Sequence, residues 1–142
     1  VEAFLPPSNV YALAANKSGS PSANLDWILN DHKRALNTAA ETNRLVFVDF
    51  TGYTCTNCRW MESNMFSRAE VAESLSHYVL SRMFTDGEGA VYERQQQFQE
   101  DQFGTVALPL YAIVDSNGKT VRTFSGLTRS PAEFLAFLRD AS

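Results

Sequence analysis

The two cysteines of this chain are separated by only two residues, in Cys55-Thr56-Asn57-Cys58, at the point where an apolar run ends and a helical pattern begins. The apolar run, residues 45–50, predicts a buried strand, and the residues after Cys58 predict a helix. Two thiols in such a position can close a disulfide with each other, and they can open one on another molecule through a mixed disulfide. The pattern therefore predicts a redox-active dithiol at the junction of a strand and a helix.

Predicted strands and helices alternate along the rest of the chain. Asn24 suits the N-cap of a helix whose apolar face runs from Leu25 to Ala39. Further strands are expected at residues 78–84, 110–114 and 120–124, and further helices at residues 69–75, 88–103 and from Pro131 onward. This order predicts an α/β fold: a central mixed sheet flanked by helices on both faces, with parallel pairing early in the chain and an antiparallel hairpin late.

Two local patterns add detail to these elements. Asn117-Gly118 predicts a tight hairpin turn, because both residues accept positive φ values. The helix at residues 88–103 is predicted to have a polar face, and its apolar residues are Val91, Tyr92, Phe98 and Phe103.

Residues 1–23 show no sustained periodicity and contain Pro6-Pro7, so we expect a linker or extended N-terminal arm there and one domain over residues 24–142.

The net charge of −4 argues against nucleic acid as a partner, since phosphate binding needs a basic patch. No apolar run approaches the roughly 18 to 20 residues that a membrane span needs. Because the chain begins with Val1 rather than Met, we expect a mature protein or an excised piece, and earlier removal of a signal or membrane segment is compatible with this.

The position of the cysteine pair predicts a role for each sulfur. At a helix N-terminus the first sulfur points beyond the end of the helix, where free N–H groups and the helix dipole stabilise a thiolate. Cys55 is therefore the predicted nucleophile and Cys58 the resolving thiol. Two other interpretations remain open: a zinc site, for which His32 and His77 are isolated, and an inert structural disulfide, which gains little stability from so short a loop. The redox interpretation requires no metal or organic cofactor besides the disulfide itself.

Two carboxylates accompany the pair in the sequence. Asp49 lies inside the apolar strand, where a carboxylate is unusual unless it is paired or functional; the alternative is a strand-end acid that faces solvent. Glu62 follows Cys58 by four residues and shares its helix face, although a solvated position fits this spacing equally well. Near the sulfurs, both acids would raise the thiol pKa values, and Asp49 would exchange a proton with the resolving thiol through water. Because neither Thr56 nor Asn57 adds positive charge, we expect a reductant rather than an oxidant.

Pro109 is the second singular feature of the sequence. It opens a predicted strand, where a proline cannot donate to a central ladder. A cis Leu108–Pro109 bond would bring the backbone of Leu108 beside the cysteines, where it could pair with an extended substrate. A trans proline at the start of a strand is the commoner arrangement, but the dithiol context favours cis. Tyr53 and Thr54, in the turn before Cys55, are expected to shape access to that sulfur.

Together these positions resemble the thioredoxin superfamily, with Asp49 in the strand, the cysteine pair at the helix start, and Pro109 before a strand and hairpin. Within this superfamily, four stretches look like the C-terminal periplasmic domain of the DsbD family of membrane thiol:disulfide interchange proteins: residues 55–62, 66–67, 108–109 and 115–119. The resemblance covers roughly residues 25 to 142. It implies a thioredoxin-like fold, with Cys55 as nucleophile, Cys58 as resolving thiol, Asp49 and Glu62 as groups that tune the thiols, and Pro109 as a cis proline.

The resemblance also implies a function, namely a protein-disulfide reductase that takes electrons from a transmembrane donor domain. Such a domain passes them to a periplasmic acceptor, in support of disulfide isomerisation and cytochrome c maturation. We accordingly expect a monomeric, periplasmic or otherwise extracytoplasmic domain, tethered to the inner membrane in the full-length protein. Two alternatives remain: a stand-alone secreted thioredoxin-like reductase, and a non-catalytic binding module that holds a partner beside Pro109 while its disulfide stays closed.

Overall fold

The computed structural model describes residues 25–141, and the predicted N-terminal arm at residues 1–23 lies outside this part of the chain. Five strands and five helices follow one another in it. The strands are β1 (Trp27–Leu29), β2 (Val46–Thr51), β3 (Val79–Phe84), β4 (Leu110–Val114) and β5 (Thr120–Ser125). The helices are α1 (His32–Thr42), α2 (Thr56–Trp60, continued by a π-helical turn over Met61–Met65), α3 (Ala69–Leu75), α4 (Ala90–Phe103) and α5 (Pro131–Ala141). None of the helices in this part of the chain is long and apolar enough to cross a membrane.

The strands form one mixed sheet in the order β1-β3-β2-β4-β5. β3 is parallel to β1 and β2, whereas β4 is antiparallel to β2 and β5. The predicted α/β fold, with parallel pairing early and antiparallel pairing late, is confirmed. Because parallel strands end at the same edge of a sheet, the segments that follow β2 and β3 lie side by side. The Thr85 N–H donates to the Thr51 carbonyl at 3.1 Å there.

Successive side chains of β2 point to opposite faces of the sheet, and each face has its own apolar cluster. The first cluster contains Phe47 and packs under α2, α3 and α5. The second contains Val46, Val48 and Phe50 and packs under α1 and α4. Helices therefore cover both faces, as predicted. Asp49 alternates with Val48 and Phe50, so its carboxylate points to the face that α2 covers, and α2 is the helix that carries the cysteines.

The first predicted helix is wrong over its first turns. Residues 27–29 form strand β1, paired in parallel with β3, and helix α1 begins only at His32. Asn30, with a φ of 55°, turns the chain between them, and Asp31 caps α1 by accepting the Arg34 N–H at 3.2 Å. A strand of three residues is too short to show the alternation by which a strand is recognised in a sequence.

Helix α4 was predicted to have a polar face, and two of its polar side chains are buried in the structure. Phe98 and Phe103 pack, partly buried, against the second cluster, but Val91 is exposed. The buried positions of the helix are Gln95 and Gln99. Buried amides require hydrogen-bond partners, so the packing of this helix depends on polar contacts as well as on apolar ones.

The predicted hairpin turn between β4 and β5 is present, but it closes differently from the expectation. Gly118 has a φ of 84°, whereas Asn117 does not have a positive φ. Instead, Asp115 Oδ1 accepts the N–H groups of Asn117 and Lys119, each at 2.9 Å. A side chain therefore replaces one of the two left-handed residues in closing the turn.

Candidate redox site

The cysteine pair lies at the edge of the sheet where β2 ends and α2 begins. Cys55 is the N-cap of α2, its Sγ accepts the N–H of Cys58 at 3.2 Å, and the two sulfurs are joined as a disulfide. Cys58 is buried, with 1% of its surface exposed, whereas Cys55 is partly exposed. The sulfur that a partner can reach is therefore that of Cys55.

Asp49 is buried and ion-paired, so the alternative of a solvent-facing acid is wrong. It lies opposite Arg82 on the neighbouring strand β3, and Arg82 Nε is 3.0 Å from Asp49 Oδ2. Burial raises the pKa of Asp49 to about 6, since desolvation of the carboxylate outweighs the attraction of Arg82 and the charge of Glu62 adds to the rise. Asp49 can therefore gain and lose a proton close to neutral pH.

Glu62 also has an arginine partner, Arg59, which sequence reasoning missed. Arg59 Nη2 lies 2.9 Å from Glu62 Oε2 and 3.1 Å from Thr51 Oγ1. The Glu62 side chain is 23% exposed, so it is not the fully solvated position that the spacing also allowed. No positive charge lies between the cysteines, but Arg59 supplies one directly after them. Each of the two predicted acids is thus paired with an arginine.

Asp86 contacts the turn in front of Cys55, and no sequence pattern had assigned it a role there. Its carboxylate accepts the N–H of Tyr53 at 2.7 Å, the N–H of Thr54 at 3.1 Å and the Thr54 hydroxyl at 2.8 Å. Slight desolvation acts to raise the pKa of Asp86, but the hydrogen bonds from Thr54 and Tyr53 outweigh it and hold this pKa below its ordinary value. Three hydrogen bonds therefore fix the two residues that precede Cys55.

Replacing Asp86 with alanine is expected to loosen this turn while the domain stays folded. The Tyr53 and Thr54 amides lose their carboxylate acceptor, so we expect their hydrogens to exchange about tenfold faster, and stability to fall by about 1–2 kcal/mol. Hydrogen exchange followed by mass spectrometry measures the first effect and urea unfolding the second. The control is Glu88→Ala, which removes an exposed acid from the same loop. Equal exchange rates in the two variants would contradict the assigned role.

Tyr53 and Thr54 are exposed beside the disulfide, as expected of residues in this turn. The Tyr53 ring stacks on Phe84 with centroids 4.0 Å apart, and its hydroxyl lies 3.1 Å from that of Tyr92. Tyr53 nevertheless remains 49% exposed. An aromatic surface therefore adjoins Cys55, and control of access by these residues remains a prediction.

The Leu108–Pro109 peptide bond is cis, and Pro109 is buried directly before β4. Leu108 reaches the loop that leads to the cysteines, since a Cβ on Gly52 would lie 3.0 Å from Leu108 Cδ1 and 2.7 Å from Asp86 Oδ2. Any side chain at position 52 would push these groups away. The absence of a side chain at Gly52 therefore allows the three segments to meet at one edge of the sheet. Pairing of the Leu108 backbone with a substrate remains a prediction.

The zinc interpretation of the cysteine pair finds no further ligands in the described residues. Within residues 25–141, no three His, Cys, Asp or Glu side chains lie close enough together to hold a metal ion. His32 packs against Phe98, with ring centroids 5.0 Å apart, and burial lowers the pKa of His32. His77 is exposed.

Comparison with known proteins adds a family to this geometry. The sequence pattern of a family described as a thioredoxin-like domain matches residues 32–142, which include every residue of the site described above. No curated protein matches the chain significantly.

Solved structures with a similar fold include a thioredoxin from Thermus thermophilus, a DsbH oxidoreductase, and the reduced C-terminal domain of DsbD from Neisseria meningitidis. The first is 25% identical, with a TM-score of 0.66 over 82% of this chain and 85% of that one. The second is 17% identical, with a TM-score of 0.65 over 83% and 84%. The third is 18% identical, with a TM-score of 0.63 over 81% and 100%. The architecture of residues 25–141 is therefore the thioredoxin-like fold.

Proposed function

Since the chain belongs to the family of thioredoxin-like domains and carries a disulfide between Cys55 and Cys58, we propose that this oxidoreductase reduces disulfides in partner proteins. The observation that carries the proposal is the difference in exposure between the two sulfurs. A partly exposed Cys55 at a helix N-terminus is accessible to another protein, whereas the buried Cys58 is accessible only from within. This asymmetry suits a nucleophile and a resolving thiol.

The exchange proceeds in two steps from the reduced protein. The Cys55 thiolate attacks one sulfur of the partner disulfide, a bond forms between these two sulfurs, and the other partner sulfur leaves as a thiolate that takes up a proton. Cys58 then loses its proton and attacks Cys55 Sγ, which releases the second partner sulfur. The partner gains two electrons and two protons, and the protein is left with the Cys55–Cys58 disulfide. An external electron donor must reduce this disulfide before the next cycle.

Asp49 is the group that we propose accepts the proton of Cys58, through water. Its carboxylate points to the face that α2 covers, and with a pKa of about 6 it is mostly ionised at neutral pH and able to take a proton. The hydrogen bond from Arg82 Nε, at 3.0 Å, holds it in one orientation. Glu62 acts less directly, because Arg59 offsets its charge.

The balance of charges around the disulfide supports a protein that donates electrons to its partners. The reduction potential of Cys55–Cys58 tests whether it acts as a reductant or as an oxidant. Asp49, Glu62 and Asp86 disfavour a thiolate, while Arg59 and the helix N-terminus favour one. We expect a potential near that of thioredoxin, about −270 mV, from equilibration of Cys55–Cys58 with dithiothreitol or glutathione buffers. A value near about −120 mV, as in a strong oxidase, would overturn the proposed direction.

The partners and location that we propose come from the residues that resemble the DsbD family, above all the stretch from Cys55 to Glu62. The donor would be a transmembrane domain and the acceptor a periplasmic domain, in a route that supplies cytochrome c biogenesis. We propose an extracytoplasmic location, a tether to the inner membrane in the full-length protein, a monomeric state, and no cofactor besides the disulfide.

Catalysed reduction of insulin by dithiothreitol separates the proposed reductase from a binding module. A reductase of either kind, membrane-fed or stand-alone, accelerates the reaction, because dithiothreitol replaces the natural donor. A module with a permanently closed disulfide leaves insulin at its uncatalysed rate. Reduction of the Cys55–Cys58 disulfide by a purified transmembrane donor domain, compared with reduction by thioredoxin, then separates the membrane-fed protein from the stand-alone one.

A further inference from the structure

Helix α4 carries three glutamines on one side, and each hydrogen-bonds to a backbone carbonyl outside the helix. Their spacing of four and then three residues places them on the same face. In chain order the bonds join Gln95 to Phe84 at 2.6 Å, Gln99 to Ala107 at 2.8 Å, and Gln102 to Gly118 at 3.0 Å. The helix is thereby connected to the end of β3, to the loop before β4, and to the turn between β4 and β5.

The middle bond concerns the redox site. Ala107 directly precedes Leu108, and Leu108 in turn reaches Gly52 in the loop that leads to the cysteines. Ala107 is exposed and lies outside β4, whose ladder begins at Leu110. The Ala107 N–H bonds locally, to Thr105 Oγ1 at 3.0 Å. The bond from Gln99 therefore connects this loop to a helix that is packed on the sheet.

Gln99 is an unexpected residue for a position where packing alone matters. Its side chain has 0% exposure, and burying an amide is unfavourable unless its polar atoms are hydrogen-bonded. Its Nε2 donates to Ala107, whereas its Oε1 has no hydrogen-bond partner among the described residues. An apolar side chain of similar size would pack there without that cost. What the amide adds to this position is the single bond to the loop.

We infer that Gln99 is a positioning residue, which holds the Ala107 carbonyl so that the backbone of Leu108 is presented to a partner polypeptide beside Cys55. This inference rests on the proposed function. A partner chain in an extended conformation would pair with the Leu108 backbone and so bind next to Cys55. A small thiol such as dithiothreitol needs no such pairing, because it reaches the disulfide without binding the loop.

The test compares Gln99→Met with Gln102→Met in insulin reduction. Methionine keeps the length of the side chain and removes the donor. The control, at an exposed position of the same helix, removes the two bonds that Gln102 Nε2 donates to the Gly118 carbonyl and to Thr120 Oγ1. For Gln99→Met we expect the KM for insulin to rise about tenfold with kcat nearly unchanged, as for a loss of binding alone. In the same variant, the rate at which dithiothreitol reduces the Cys55–Cys58 disulfide should stay within about twofold of the wild-type rate. Gln102→Met should change neither the KM for insulin nor this rate.

Two kinetic results would overturn the inference. The first is an equal KM in both variants and the wild type. The second is a parallel fall in the insulin and dithiothreitol rates of Gln99→Met, which would mean that Gln99 supports the dithiol itself. If Gln99→Met is unfolded at the assay temperature, Gln99→Leu takes its place; unfolding of both while Gln102→Met stays folded would show a structural role only and would also overturn the inference.

Hydrogen exchange in the absence of any partner gives a readout that does not depend on activity. Amides 106–108 should exchange about tenfold faster in Gln99→Met than in the wild type, and at the wild-type rate in Gln102→Met. If the wild type fails to reduce insulin but this contrast appears, the proposed function fails while the positioning of the loop by Gln99 stands. If the wild type is active and the contrast is missing, the inference fails and the proposed function stands.

Discussion

The Cys58→Ala variant is expected to remain covalently attached to the protein disulfides that it attacks. Without Cys58 there is no internal thiol to displace the partner from Cys55, so the mixed disulfide persists until an external thiol arrives. Cys58 is buried, whereas Cys55 stays partly exposed as the N-cap of α2, so the truncation leaves the attacking sulfur accessible. We expect one-to-one adducts on non-reducing gels and by mass spectrometry, and insulin turnover at the uncatalysed rate.

Cys55→Ser is the matched control for this experiment. It removes the exposed sulfur, so we expect neither adducts nor turnover. Adducts from Cys55→Ser but not from Cys58→Ala would reverse the assigned roles of the two sulfurs. Binding of a partner peptide that is equally strong in Cys55→Ser and the wild type, with no adduct from either variant, would favour the binding module.

Replacing Asp49 with asparagine is expected to stabilise the oxidised protein at neutral pH. The pKa of Asp49 is raised to about 6 in the folded protein, against about 3.9 in an unfolded chain. Protonation of Asp49 therefore favours the folded state. Its contribution to the free energy of unfolding is fully present below about pH 4 and is lost as the pH rises through 6. A difference of about two pKa units corresponds to about 3 kcal/mol. The asparagine oxygen still offers Arg82 an acceptor, so most of this should appear as a gain in the free energy of unfolding at pH 7.

Urea unfolding of the wild type and Asp49→Asn between pH 4 and pH 8 measures this difference. We expect the free energy of unfolding of the variant to rise relative to that of the wild type between about pH 4 and pH 6.5. Above that range the difference between the two proteins should be constant. Asp26→Asn is the control, because Asp26 is exposed and precedes β1, at the opposite end of the sheet from the cysteines. Stabilities of the wild type and Asp49→Asn that run parallel over the whole range would show that Asp49 does not titrate as its burial implies.

Most of the fold could be predicted from the sequence, because its signals are local. The strand at 46–51, the helix after Cys55, the hairpin near Gly118 and the last helix each depend on residues a few positions apart. The main error was β1, whose three residues resemble a turn of helix until β3 is known to lie beside them. Pairing between strands is a long-range contact, and periodicity contains no information about it.

The candidate site likewise contains residues that the sequence identified and contacts that it could not. Cys55, Cys58, Asp49, Glu62 and Pro109 could be named from their types and spacing, and the structure brings all five to one edge of the sheet or to its adjoining face. Their partners could not be named. The residues missed were Arg82, which pairs with Asp49, Arg59, which pairs with Glu62, and Asp86, which holds the turn before Cys55.

The sequence by itself determined the chemistry available to this protein. It contains one dithiol at the start of a helix, an acid in the strand before that helix, and a proline directly before β4. Only the tertiary structure decided how that chemistry is controlled. Arg82 reaches Asp49 across 33 residues because β3 lies beside β2, and Asp86 reaches Tyr53 across the same gap because both strands end at one edge. Such contacts depend on the register of neighbouring strands, and the burial that raises the pKa of Asp49 depends on the helix that packs over it.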